Sequence, residues 1–145
     1  SLERLGRHLI AGYHDRAEIR RLIEARAIGG VFITTRNVGR RKAADIAAEI
    51  AGWQATRRAQ GLPPLIIASD QEGGEVSRLS PPLERLPSLA TLVSKANTSE
   101  GRRAVAFDYG RKQGADLARL GVKALICGTM ASYLSACLAG ILTQI

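Results

Sequence analysis

At 145 residues the chain is long enough for one domain with a substantial core, yet well short of the roughly 250 residues of a complete eight-unit α/β barrel. Hydrophobic residues at 46% and charged residues at 23% argue against a disordered tail, a collagen-like repeat or a wholly membrane-embedded protein. The net charge of +8 is thinly spread: Arg16, Arg20, Arg21 and Arg26 alternate with Glu18 and Glu24, while Arg40, Arg41 and Lys42 precede Asp45 and Glu49, a pattern of solvated, charge-paired helix faces. Aromatics at 4% supply few stacking platforms, so nucleic acid is not an expected partner. Cys127 and Cys137 have neither CxxC spacing nor a nearby His; they read as small buried hydrophobes, with no zinc site or disulfide framework, and no motif implies a metal or organic cofactor. Residues 1–7 are charged and amphipathic, unlike a signal peptide, which makes the cytoplasm the expected location.

In chain order, short apolar runs alternate with helical periods. His8 to Tyr13 reads as a strand, and Asp15 opens a helix to Ala27 with Ile19, Leu22, Ile23 and Ala27 on one face, the Asp being a good N-cap. Gly30 to Thr35 is β-branched and strand-like, followed by a helix over Arg40 to Ala59 with Ala43, Ile46, Ala47, Ile50 and Trp53 at helical spacing. After the breaker Gly61-Leu62-Pro63-Pro64, the run Leu65 to Ser69 has the continuous apolarity of a parallel strand covered on both faces. Ser99 can cap a helix to Leu120, whose Ala104, Phe107, Gly110, Gly114 and Leu117 share a face where the glycines would let a sheet approach, and Val122 to Cys127 reads as a fourth strand. Four strand–helix units joined by right-handed crossovers predict an α/β fold with a parallel sheet, either an open doubly wound sheet or part of a barrel. No GxGxxG or GxxxxGK[ST] occurs, which weakens the dinucleotide-binding alternative.

The polar, Gly-rich stretch Asp70 to Ser88 is too long and irregular for a simple connector and is the candidate functional loop. Asp70 stands where the third apolar run stops, at the sheet end where α/β sites lie. Glu72 follows two residues later, about 6.6 Å along an extended backbone. A retaining glycosidase places its two carboxyls about 5–5.5 Å apart, so spacing alone admits these two as acid and nucleophile. It equally admits two carboxylates that end a strand and pair with Arg78.

The run Asp70-Gln71-Glu72-Gly73-Gly74 with Val76 and Arg78 resembles the DQEGG-x-V-x-R signature of glycoside hydrolase family 3, in particular its bacterial β-N-acetylhexosaminidase branch. Gly29 to Asn37 (GGVFITTRN), Leu86 to Ser88 and Leu120-Gly121-Val122 are similar to further segments of that family in the same order. The resemblance covers about residues 5–122 and implies the N-terminal half of a TIM-type (β/α)8 barrel, with residues 123–145 a divergent apolar tail. It implies retaining cleavage of terminal β-linked amino sugars or glucosides. Asp70 is then the carboxylate that accepts from sugar hydroxyls and Arg78 the cation that orients the ring. Glu72, Gly73 and Gly74 organise the loop, the glycines by turns that a side chain forbids.

The same resemblance places the family's nucleophilic Asp on a late strand and its Lys-His pair in mid-domain. Neither is matched within these residues, and His8 and His14 lie upstream of the signature. The expectation is therefore a sugar-binding half without catalytic residues of its own, the alternatives being a carbohydrate-binding or interaction remnant. An open sheet edge would favour self-association. Residues 124–145 are uncharged, with Gly128, Ser132, Ala136 and Gly140 at intervals of four; a membrane anchor competes with a buried strand and core helix, and Thr129, Ser132, Ser135, Thr143 and Gln144 favour the latter.

Overall fold

A computed structural model describes residues 1–126 and 133–144. The elements run α1 (Leu2–Gly6), β1 (Ile10–Gly12), α2 (Arg16–Glu24), β2 (Gly30–Phe32), α3 (Thr35–Val38), α4 (Ala43–Ala59), β3 (Ile66–Gly73), β4 (Val76–Ser77), α5 (Leu89–Val93), α6 (Ser99–Leu120), β5 (Ala124–Ile126) and α7 (Leu134–Leu142). Four strands, β1, β2, β3 and β5, are parallel and adjacent in that order, with Ile10 opposite Gly30, Gly30 opposite Ile66, and Ala68 opposite Ala124. This is the expected half of a TIM-type barrel, with the crossover helices α2, α4 and α6 between successive strands.

The helix-facing side of the sheet supplies the core. Val31, Ile33 and Ile67 pack with Ile19 and Ile23 of α2, Ile46, Ile50 and Trp53 of α4, and Leu117 and Leu120 of α6. Tyr13, just past β1, meets Trp53 edge-on with ring centroids 5.8 Å apart, a favoured aromatic geometry. Asp15 caps α2 as expected, its carboxylate accepting from the Ala17 amide at 2.9 Å.

Other details correct the sequence reading. Thr98, not Ser99, is the N-cap of α6, and its hydroxyl accepts from the Gly101 amide at 3.0 Å. Gly110 and Gly114 admit α7 instead of the sheet: a Cβ on Gly110 would strike the Cys137 carbonyl, and one on Gly114 would lie 3.0 Å from the Ile141 backbone. Ala104 and Phe107 are exposed, while Ala106, Tyr109, Gln113 and Leu117 are buried. The charges pair between elements more than along helices, with Arg41 and Arg16 converging on Glu49 at 2.7 and 3.5 Å. The third strand runs four residues past Ser69, to Gly73, so the loop read from Asp70 begins as sheet.

The tail packs as α7 against α6, with Cys137 and Ile141 buried. Among the described residues no helix is long and apolar enough to cross a membrane. Cys127, Gly128 and Ser132 lie outside the described residues.

Candidate functional site

A cleft of about 650 Å³ opens at the C-terminal ends of β1, β2 and β3. Gly12, Tyr13 and His14 form one wall, Thr34, Thr35 and Arg36 a second, and Asp70 and Arg78 the third. The Arg36 guanidinium contacts His14 Nδ1 across the first two walls. Asp70 is half-buried and Arg78 exposed. Among the described residues neither the Asp70 carboxylate nor the Arg78 guanidinium takes part in an ion pair or side-chain hydrogen bond. The two are tied only through the backbone, the Arg78 amide donating to the Asp70 carbonyl at 3.0 Å. An acceptor and a planar donor fork thus face the same solvent-filled space with their hydrogen-bonding capacity unspent.

Glu72 takes another position. Its side chain is not on the cleft wall, and its carbonyl accepts from the Tyr109 hydroxyl at 2.7 Å. The pairing of Arg78 with Asp70 or Glu72 that the sequence admitted does not form. Gly73 and Gly74 have φ of +83° and +60°, and a Cβ on Gly73 would strike the Tyr109 hydroxyl and come within 2.5 Å of the Pro87 carbonyl oxygen. That is the left-handed backbone and close approach for which glycine is suited.

Buried amides hold the signature segment, and sequence reasoning passed over them. Gln71, 1% exposed, accepts from the Leu79 amide at 2.9 Å and donates to Ser80 Oγ at 2.9 Å. These bonds clamp β3 to the chain that carries Arg78. Gln113 of α6 donates to the Gln71 carbonyl and the Tyr109 hydroxyl, both at 3.1 Å. On the other wall, Asn37 donates to the Tyr13 carbonyl and accepts from the Thr34 amide, both at 2.8 Å, joining the ends of β1 and β2. Ser69 Oγ donates to the Ile33 carbonyl at 2.8 Å, joining β2 to β3. The usable signal for Gln71 was its place between two half-buried strand neighbours, where period-2 alternation turns it inward.

Burial pushes the Tyr13 phenol up to about 12, helped by the Glu49 charge and opposed by Arg41 and Arg16. This wall therefore offers a neutral ring beside its cations.

Comparison with known proteins gives this arrangement its family. The sequence profile of the glycosyl hydrolase family 3 N terminal domain matches residues 2–128. The chain belongs to glycosyl hydrolase family 3. A β-hexosaminidase from Idiomarina loihiensis is 33% identical over 113 residues, covering 78% of this chain and 32% of that protein. The chain thus spans about a third of the length of that relative. The fold agrees with a family 3 β-N-acetylglucosaminidase from a Paenibacillus species (TM-score 0.83, 21% identity, 98% of this chain and 31% of the other). It also agrees with NagZ from Neisseria gonorrhoeae in complex with N-trifluoroacetyl-D-glucosamine (TM-score 0.79, 22% identity, 94% of this chain and 46% of the other).

Proposed function

We propose that the cleft holds the non-reducing-end ring of a β-linked amino sugar, of the N-acetylglucosamine type, as the substrate-holding half of a retaining glycoside hydrolase. Asp70 accepts from two adjacent ring hydroxyls, and Arg78 donates from the neighbouring wall to fix the ring's orientation. The observation that carries the reading is the unspent Asp70 and Arg78 pair facing one cleft at the strand ends. Family membership and the sugar complex of a structural neighbour support the substrate class. A glucoside, which the family resemblance also admitted, lacks that second support.

Among the described residues this cleft holds one carboxylate, Asp70. Retaining hydrolysis needs two groups, a nucleophile below the anomeric carbon and a proton donor at the leaving oxygen. Glu72 supplies neither from outside the cleft wall. The 145 residues by themselves bind the sugar and do not turn it over.

Titration calorimetry or ligand-observed NMR with an aryl β-N-acetylglucosaminide tests both halves of the proposal. Binding to the wild type should weaken roughly 10- to 100-fold in Asp70→Asn, the range for losing charge-assisted hydrogen bonds of about 1.5–3 kcal/mol. No aryl release should accompany binding. Equal affinity in the variant refutes Asp70 as the sugar ligand, and turnover abolished by Glu72→Gln restores the two-carboxylate alternative.

A further inference from the structure

Two charged or titratable residues of the cleft wall, His14 and Arg36, take no part in holding the sugar ring. Arg36 sits on α3, and the backbone on either side of it is fixed. Asn37 accepts from the Thr34 amide and donates to the Tyr13 carbonyl, both at 2.8 Å, which holds α3 against the end of β1. His14 follows Tyr13, and its Nδ1 contacts the Arg36 guanidinium. A neutral imidazole there accepts a hydrogen bond from the guanidinium and leaves its charge uncancelled. Among the described residues no carboxylate pairs with Arg36. The acids beside this wall are engaged elsewhere, Asp15 by the Ala17 amide and Glu49 by Arg41 and Arg16. The cleft lining therefore carries two guanidiniums, Arg36 and Arg78, against one carboxylate, Asp70.

We propose that the surplus cation selects an amino sugar bearing a sulfate or phosphate ester at C6, with Arg36 as the ester's ligand and His14 as the residue that positions Arg36. This rests on the cleft holding an amino sugar at Asp70. The ends of β1 and β3 are two strand spacings apart, about 10 Å, a gap that one hexose with its substituents bridges. On a β-linked N-acetylglucosamine the only adjacent pair of free ring hydroxyls is at C3 and C4. Asp70 accepts from that pair, so an anion at either carbon is repelled. C2 bears the acetamido group and C1 the glycosidic bond. The C6 arm alone is left to carry a negative group, and it reaches farthest from the ring. The parallel N–H groups of a guanidinium match two oxygens of a sulfate or phosphate ester.

Titration calorimetry at ~50 mM salt, where charge is lightly screened, compares an aryl β-N-acetylglucosaminide with its 6-sulfate and its 6-phosphate. The wild type should bind at least one ester roughly tenfold more tightly than the plain glycoside, and the tighter of the two identifies the group. Arg36→Gln should bring that ratio close to one. His14→Ala should lower it, and His14→Asn, which keeps an acceptor, should lower it less; general loosening of the cleft would weaken all three ligands alike and leave the ratio unmoved. Asp70→Asn should weaken all three and keep the preference. A plain glycoside that binds as tightly as both esters overturns this inference alone, as does a preference that survives Arg36→Gln. A ratio untouched by His14→Ala overturns the role of His14. Absence of binding by all three ligands overturns the inference together with the sugar site.

Discussion

Replacing Gly73 by Ala probes the geometry that holds the signature segment in place. The backbone there sits at φ +83°, and a non-glycine residue in the left-handed region costs about 1–2 kcal/mol. The added methyl would also lie 2.5 Å from the Pro87 carbonyl oxygen and closer still to the Tyr109 hydroxyl. The first neighbour is backbone and yields little. The second yields only by breaking the bond to the Glu72 carbonyl, and with it the one from Gln113, each worth about 1 kcal/mol. The total is about 3–4 kcal/mol. At a slope near 2 kcal/mol per molar urea, this lowers the unfolding midpoint by roughly 1.5–2 M. Gly52, inside α4 with nothing within 4 Å of a built Cβ, is the control: its Ala variant should gain about 0.5–1 kcal/mol, because helical glycine is costly and the site is open. Urea unfolding followed at the single Trp53 measures both. A Gly73→Ala loss under about 1 kcal/mol would mean that Tyr109 and the Pro87 backbone do not fix this turn, and the reasoning about the signature glycines would fail.

Gln71→Leu should cost about 2–4 kcal/mol, since it leaves the Leu79 amide and Ser80 hydroxyl without their buried partner; thermal unfolding measures it, and the same variant should lose sugar affinity because Arg78 is released from register with Asp70. The Tyr13 phenol, raised to about 12 by burial, keeps its proton in the folded state after the unfolded chain has lost it near pH 10. Its contribution to stability is therefore complete below pH 10 and lost between pH 10 and about 12, a fall of about 3 kcal/mol. Tyr13→Phe should flatten that part of the stability–pH curve, and an unchanged slope would refute the assignment.

Half the fold was legible because parallel strands covered on one face by helices write themselves as apolar runs between amphipathic periods. Leu65 to Ser69 and the α2 face of Ile19 and Ile23 were plain for this reason. The α6 glycines were misassigned because periodicity says that a face is small, not what approaches it; α7 arrives from residues beyond Val122 and takes that face with Cys137 and Ile141. Thr98 displaced Ser99 as cap because the two are adjacent and chemically near-equivalent, and only the backbone, extended at Thr98, separates them.

The site's dependence on strand length explains why Asp70 was visible and its supports were not. β3 outlasts β1 and β2 in chain length, running eight residues against three and three. Asp70 and Glu72 therefore stand on strand and not on loop, their side chains on the face opposite that of Gln71. A carboxylate at the end of an apolar run advertises itself. A neutral amide buried beside it does not, because the same residue type is common on surfaces. Gln71, Gln113 and Asn37 nevertheless do the positioning: each satisfies backbone groups of a neighbouring element, and neutral amides do so without the desolvation cost of a buried ion. Holding the frame with uncharged groups also leaves the Asp70 and Arg78 charges unpaired, so that an incoming polyol does not first have to break an ion pair between them.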